Sequence, residues 1–186
     1  MRRLVIITVG KTHSGKSTFA KALEQQLQNA LVVDQDNHAE FINTFYKHLL
    51  PKQGPNTIKY ALTQTIIDYA VDQTNVHLIL CNSNRGRTTR LNLLDHFHKN
   101  GFTSILVDFD IPDHVLQERI ANSERSTAIF RSASTFEEVL IKQQKETSKK
   151  EITSPIEGEA NHLFVIKTTD DIPSVTKSIL DIANQV

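Results

Sequence analysis

Eight consecutive residues, Gly10-Lys11-Thr12-His13-Ser14-Gly15-Lys16-Ser17, constrain this chain more than any other feature. They satisfy G-x-x-x-x-G-K-[ST] at every fixed position, and they lie between an apolar run and an amphipathic one. Residues 4–9 (LVIITV) read as a buried strand, and residues 16–28 as a helix with Phe19, Leu23 and Leu27 at four-residue spacing. A turn placed there curls its backbone N–H groups around phosphate oxygens, and the positive end of the helix dipole points into the same space. Lys16 then reaches the β- and γ-phosphates, the Ser17 hydroxyl ligates Mg²⁺, and Thr18 extends the turn. ATP and Mg²⁺ are the expected ligands, with Gly10, Lys11, Thr12, His13, Ser14, Gly15, Lys16, Ser17 and Thr18 as the cradle.

The remaining chain alternates short β-branched runs with longer amphipathic stretches, which is the pattern of an α/β fold with a parallel sheet. Further strands are expected at 31–34, 77–81, 103–109 and 162–166. Helices are expected at 37–50, 56–73, 88–99, 111–121, 135–147 and 172–183. Pro51, Gly54 and Pro55 separate the second and third helices, and Gly101 stops the fourth. Thr135 followed by Glu138 has the form of a capping box. Residues 148–160, charged and holding Pro155 and Gly158, read as a loop. The expectation is one domain over 1–186: a three-layer P-loop fold with a five-stranded, mainly parallel sheet flanked by helices, of nucleotide-kinase type. The stretch 37–75 is longer than a crossover requires and is expected to form a helical cover over an acceptor site.

Charge and cysteine content narrow the function. Lys plus Arg number 21 and Asp plus Glu number 21. A grip on a long polyanion usually shows a basic excess, so nucleic acid is a possible partner but not the favoured one. The single cysteine, Cys81, excludes an intramolecular disulfide and a Cys-rich zinc site. The basic start leads into an apolar run too short for a signal-peptide core, and no stretch approaches the ~20 apolar residues of a membrane span. A cytoplasmic protein with no membrane partner is the expectation.

With the loop placed, the chain resembles the P-loop kinases related to the 5′-kinase domain of phage polynucleotide kinase. That group includes zeta-toxin-like and small-molecule kinases, all AAA-type P-loop ATP-binding proteins. The resemblance runs from Arg3 to about Lys145. It implies an acidic residue near the acceptor hydroxyl after the second strand, where this chain reads Val33-Asp34-Gln35-Asp36-Asn37-His38. By spacing Asp36 is similar to the family's general base, with Asp34 its neighbour, and either carboxylate could also serve the metal. Asp36 could equally cap the following helix. Leu80-Cys81-Asn82-Ser83-Asn84-Arg85 is similar to a strand end that normally reads Asp-x-Thr-Asn. Asn84 and the arginines Arg85, Arg87 and Arg90 fit. Cys81 departs, standing where an aspartate usually supports the magnesium shell; Asp34 or Asp36 is the substitute. Ala39 departs as well, at a position where polynucleotide-type members often carry an arginine.

Residues 119–134 look like the family's lid, in which Arg119, Arg125 and Arg131 recur every six residues. The resemblance implies that Arg119 lies against the adenine and later arginines reach the phosphates, where they stabilise developing charge. Lys167-Thr168-Thr169-Asp170 sits where related kinases wrap the adenine; Asp170 or Asp171 could instead cap the last helix. The eight histidines show no metal-ligand spacing. His13 could brush the phosphates, and His38 and His48 could line an acceptor pocket. Phe102, Phe109 and Phe164 read as core. The chain is thus expected to move a phosphoryl group from ATP to a small hydroxyl acceptor, with Lys16, Asp36 and Arg125 catalytic, and Ser17, Asp34 and Asp36 at the metal. A polynucleotide 5′-hydroxyl kinase and a nucleotide sensor or slow ATPase are the alternatives.

Overall fold

The computed structural model describes residues 3–185; Met1 and Arg2, part of the basic start, lie outside them. Five strands, β1 (Leu4–Gly10), β2 (Ala30–Asp34), β3 (His77–Cys81), β4 (Thr103–Phe109) and β5 (His162–Ile166), form one sheet in the order β2-β3-β1-β4-β5. Every pairing is parallel. Seven helices connect them: α1 (Lys16–Gln26), α2 (Gln35–Phe45), α3 (Thr57–Gln73), α4 (Arg87–Lys99), α5 (Asp113–Ala121), α6 (Phe136–Glu146) and α7 (Ile172–Ala183).

Strand β1 is buried along its whole length because both sheet faces are covered, as a parallel sheet requires. Its alternate side chains feed two cores. Leu4 and Ile6 pack with Phe19 and Leu23 of α1, Leu116 of α5, Leu140 of α6 and Ile179 of α7. Val5, Ile7 and Val9 face the other way, onto Ile67 of α3 and Leu94 and Phe97 of α4. Phe102 and Phe109 are core, and Phe164 is partly buried against it.

Element ends differ from expectation where side chains compete with propensity. Helix α2 begins at Gln35, because the Asp34 carboxylate accepts the Asp36 N–H and caps it. Asp36 is therefore not the cap, and it enters the first turn with its own carboxylate free for other partners. The helix ends at Phe45, and Lys47–Leu49 tighten into a 3₁₀ turn before Pro51. At α6 Thr135 accepts the Glu138 N–H, but the Glu138 carboxylate returns to the Ser134 N–H, so the box is offset by one residue. The loop at 148–160 has a structural task. Its Glu159 pairs at 2.9 Å with Arg90, whose side chain is fully buried, and also meets Arg87. These two arginines hold the loop and take no part in the cleft described next. No helix among the described residues is long and apolar enough to cross a membrane.

Candidate functional site

The parallel topology brings the carboxyl ends of β1, β2, β3 and β4 to one edge, which is where open α/β sheets form their crevice. The loop between β1 and α1 lies at that edge. Gly10 has φ 146°, and a Cβ there would meet Phe109 Cβ, Phe109 O and Ser14 Oγ at 3.0 Å. Gly15 has φ 100° and His13 φ 58°, so the backbone curls in a way ordinary side chains resist. Helix α1 starts directly behind, at Lys16. The Lys16 ammonium folds back onto Lys11 O and Ser14 Oγ. Burial lowers its pKa to about 8, opposed in part by the negative fields of Asp36 and Asp34, so it stays charged at neutral pH.

The loop opens into a cleft of about 690 Å³. It is lined by Thr12 to Thr18, by Asp36 and Cys81 at the ends of neighbouring elements, by Arg119 and Arg125, and by Thr168 and Thr169 after β5. The Ser17 hydroxyl donates to Asp34 Oδ2 at 3.0 Å and lies 3.3 Å from Cys81 Sγ. Asp34 and Cys81 are register partners across β2 and β3. A carboxylate thus lies beside Cys81, on the adjacent strand. Burial pushes the Cys81 thiol up to about 11, with Asp34 adding to the effect, so the sulfur is neutral. Ser17 and Asp34 are hard oxygen donors that fit a magnesium ion; the thiol adds none. Asp36, also expected at the metal, is bonded to Arg125 instead of Ser17, with Nη2 to Oδ2 at 2.6 Å.

The three lid arginines part company. Arg119 donates to His13 O at 3.2 Å, and Arg125 reaches across the cleft to Asp36 while lying over the Phe136 ring at 5.2 Å. Arg131 does not line the cleft. Its guanidinium donates to Pro51 O at 2.7 Å and to Gly54 O, pinning the lid to the insertion. Asn43 of α2 adds a second stitch by donating to Ala128 O and Phe130 O. Lys11 also turns away, pairing with Asp113, so only its backbone serves the loop. His13 is bonded through Nδ1 to Thr12 Oγ1 and through Nε2 to Ser123 Oγ. Burial, Arg125, Lys16 and Arg119 together lower its pKa to about 4, so the ring is neutral.

Gln143 of α6 carries no motif, yet its Oε1 accepts the Thr12 N–H at 2.7 Å. Arg85 holds the same turn of α6 through Gln143 O and Thr147 Oγ1. A loop amide that a phosphate oxygen could use is thereby occupied by the helix that follows the lid. Beyond β5, Asp171 accepts from the Lys167 and Thr168 N–H groups, while Thr168 and Thr169 line the cleft. The cap and the cleft wall are therefore one structure. His38 bonds Thr63 of α3, and His48 sits in the 3₁₀ turn. No cluster of His, Cys, Asp and Glu with metal-binding form occurs among the described residues.

Known proteins share this architecture. The structure of Kti12 from Chaetomium thermophilum in complex with ADP-AlF3 superposes with a TM-score of 0.66 at 14% identity, covering 95% of this chain and 97% of that one. Shikimate kinase from Bacteroides thetaiotaomicron gives 0.60 at 14% identity over 97% and 98%. The Mycobacterium tuberculosis APS kinase CysC, in complex with AMPPNP and APS, gives 0.59 at 15% identity over 98% of each. At such identities the likeness is one of fold. No curated protein sequence matches the chain. Residues 5–150 match the AAA domain family AAA_33, which takes in the loop, the insertion, the lid and α6. With that match over most of its length and the fold of the P-loop kinases around its loop, the chain belongs to the AAA_33 family.

Proposed function

We propose that this chain is a kinase that moves the γ-phosphoryl group of ATP·Mg to a hydroxyl of a small acceptor. The observation that carries this reading is the position of Asp36. Asp34 caps α2 and meets Ser17, and this leaves Asp36 lining the same cleft as the phosphate loop with, among the described residues, only Arg125 on its carboxylate.

The loop N–H groups and Lys16 bind the β- and γ-phosphates, and Thr168 and Thr169 flank the base. A magnesium ion held by Ser17 and Asp34 supplies charge neutralisation at the phosphates when bound. Arg125 exchanges Asp36 for the transferring group, where negative charge spreads over the equatorial oxygens. Asp36, released, accepts the proton from the acceptor hydroxyl as its oxygen attacks phosphorus and the bond to ADP breaks. The Arg125–Asp36 ion pair thus keeps the base occupied until phosphates draw Arg125 away. Arg119 orients the loop through His13 O. Arg131 acts at a distance, by holding the lid on the insertion.

The test is ATP consumption against a panel of hydroxyl compounds with γ-labelled ATP. A kinase consumes ATP rapidly only with the right acceptor and leaves label on it. Acceptor-independent hydrolysis, or binding without turnover across nucleosides, sugars and nucleotides, favours the sensor or slow-ATPase reading. Labelling of oligonucleotide 5′-ends, with binding that weakens steeply in salt, favours the polynucleotide reading.

A further inference from the structure

The outer turn of the phosphate loop, residues 11–13, is held from the C-terminal half of the chain. Lys11 pairs with Asp113 of α5, and His13 O accepts from Arg119. His13 Nε2 meets Ser123, and the His13 ring lies edge-on to Phe136 of α6 at 4.6 Å. Gln143 of α6 is different, because only part of its carboxamide is used. The Thr12 N–H meets it at 2.7 Å, and an N–H can only donate, so the atom facing the loop is Oε1. Its Nε2, with two hydrogens to give, is turned away from that amide. Among the described residues Nε2 has no partner, and it is not sealed from solvent.

Helix periodicity brings this group to the cleft. Phe136, Val139 and Gln143 stand at i, i+3 and i+7 on α6, and all three line the cleft beside the loop. The turn that carries Gln143 is fixed as well, since Arg85 donates to Gln143 O at 2.9 Å and to Thr147 Oγ1 at 2.7 Å. Gln143 thus bridges the loop and the segment after β3, whose Asn82 and Ser83 line the cleft with Asp36. The peptide it holds also serves Lys16: Lys11 O, on the other edge of the Lys11–Thr12 peptide, accepts the Lys16 ammonium. In the sheet order β3 lies on one side of β1 and β5 on the other. Ile166, Thr168 and Ile172, at and after the end of β5, form the wall that suits a base. The carboxamide therefore stands at the phosphate end.

We propose that Gln143 is a further phosphate-binding residue, whose Nε2 donates to the terminal phosphate of the bound nucleoside triphosphate. This assignment rests on the kinase reading above and deepens it, by naming a contact to the group that is transferred. The loop amide is then relayed instead of lost. The Thr12 N–H polarises the carboxamide through Oε1, which strengthens the donors at Nε2. A neutral donor held in place suits the transferring group, because it stabilises developing negative charge without moving a proton.

The experiment is calorimetric titration of the full chain with AMP-PNP and with ADP, both with Mg²⁺, which differ by the terminal phosphate. Gln143→Leu is expected to weaken AMP-PNP binding by about 10- to 100-fold, the loss of one hydrogen bond to a charged group, with ADP binding close to wild type. Gln143→Glu keeps an acceptor for the Thr12 N–H and removes the donor, so it separates holding the loop from holding the phosphate. It is expected to weaken AMP-PNP at least as much as leucine does. Wild-type AMP-PNP affinity in Gln143→Glu, or an equal loss on both nucleotides in either variant, assigns Gln143 to the loop alone and overturns the proposal. Unchanged or tighter AMP-PNP binding in Gln143→Leu overturns it too, the latter by making Oε1 a competitor for the loop amide. Each of these results leaves the kinase reading intact. A folded wild-type chain that binds neither nucleotide overturns both.

Discussion

Lys16→Ala lowers ATP-dependent phosphoryl transfer by about 10³-fold or more, as expected when a preorganised charge at the transferring group is removed. Among the described residues this ammonium has only Lys11 O and Ser14 Oγ as partners, both within the loop it serves. Those bonds hold the loop closed on itself, and incoming phosphate oxygens replace them with charge-assisted ones. Because the group is half-buried on the wall of the cleft, the exchange takes place where solvent screens it less than at the open surface, which is why one side chain has so large an effect. Arginine is no substitute, since its planar fork does not fit a space shaped for a compact point charge. Folding is separable from function here. Ala removes a desolvated charge, so the variant should melt near the wild-type temperature without ligand yet lose the rise that ATP·Mg produces through binding linkage. Wild-type turnover in this variant would contradict the assignment of Lys16.

Asp36→Asn is expected to slow transfer by about 10²- to 10⁴-fold, the usual contribution of a positioned general base, with ATP affinity close to normal. The separation of the two effects follows from the α2 cap. Asp34 bonds both the Asp36 N–H and the Ser17 hydroxyl, so the metal side of the cleft and the helix start do not depend on the Asp36 carboxylate. Its only ion pair among the described residues is with Arg125, across a solvent-accessible gap where such pairs contribute little to stability. Asn keeps the shape and cannot take the proton. Single-turnover transfer and nucleotide titration on the same preparation distinguish the cases. A collapse of ATP affinity with an unchanged transfer rate would move Asp36 to the metal or to the fold.

How much of this was legible from sequence varies with how local the cause is. The curled loop between β1 and α1 was legible, because its fixed positions and its place between strand and helix act over a few bonds. All five strands were legible for the same reason; runs such as LVIITV and HLILC are buried on both faces and leave no alternative period. The start of α2 was misplaced by two residues, and with it the cap, because Asp34 and Asp36 are both good caps and only the tertiary position of Ser17 selects between them. Cys81 stands where the resembled family carries an aspartate, and Asp34 or Asp36 was the expected substitute; the pairing of Cys81 with Asp34 across the sheet, which spacing does not reveal, sets one of those carboxylates beside it. Arg131 fitted a six-residue rhythm with Arg119 and Arg125, but the lid is not a helix there and the rhythm fixes no direction. Gln143 carries no motif at all; it gains its contact from a residue more than a hundred positions away, the Thr12 N–H.

Everything in the site turns on whether the curled backbone between β1 and α1 receives a polyphosphate. The direct measurement is equilibrium binding of ATP to the purified, folded chain, with and without Mg²⁺, alongside Lys16→Ala. The account predicts saturable binding by the wild type that Mg²⁺ strengthens and the variant loses. A folded wild-type chain with no measurable affinity for any nucleoside triphosphate, with or without divalent metal, would contradict it.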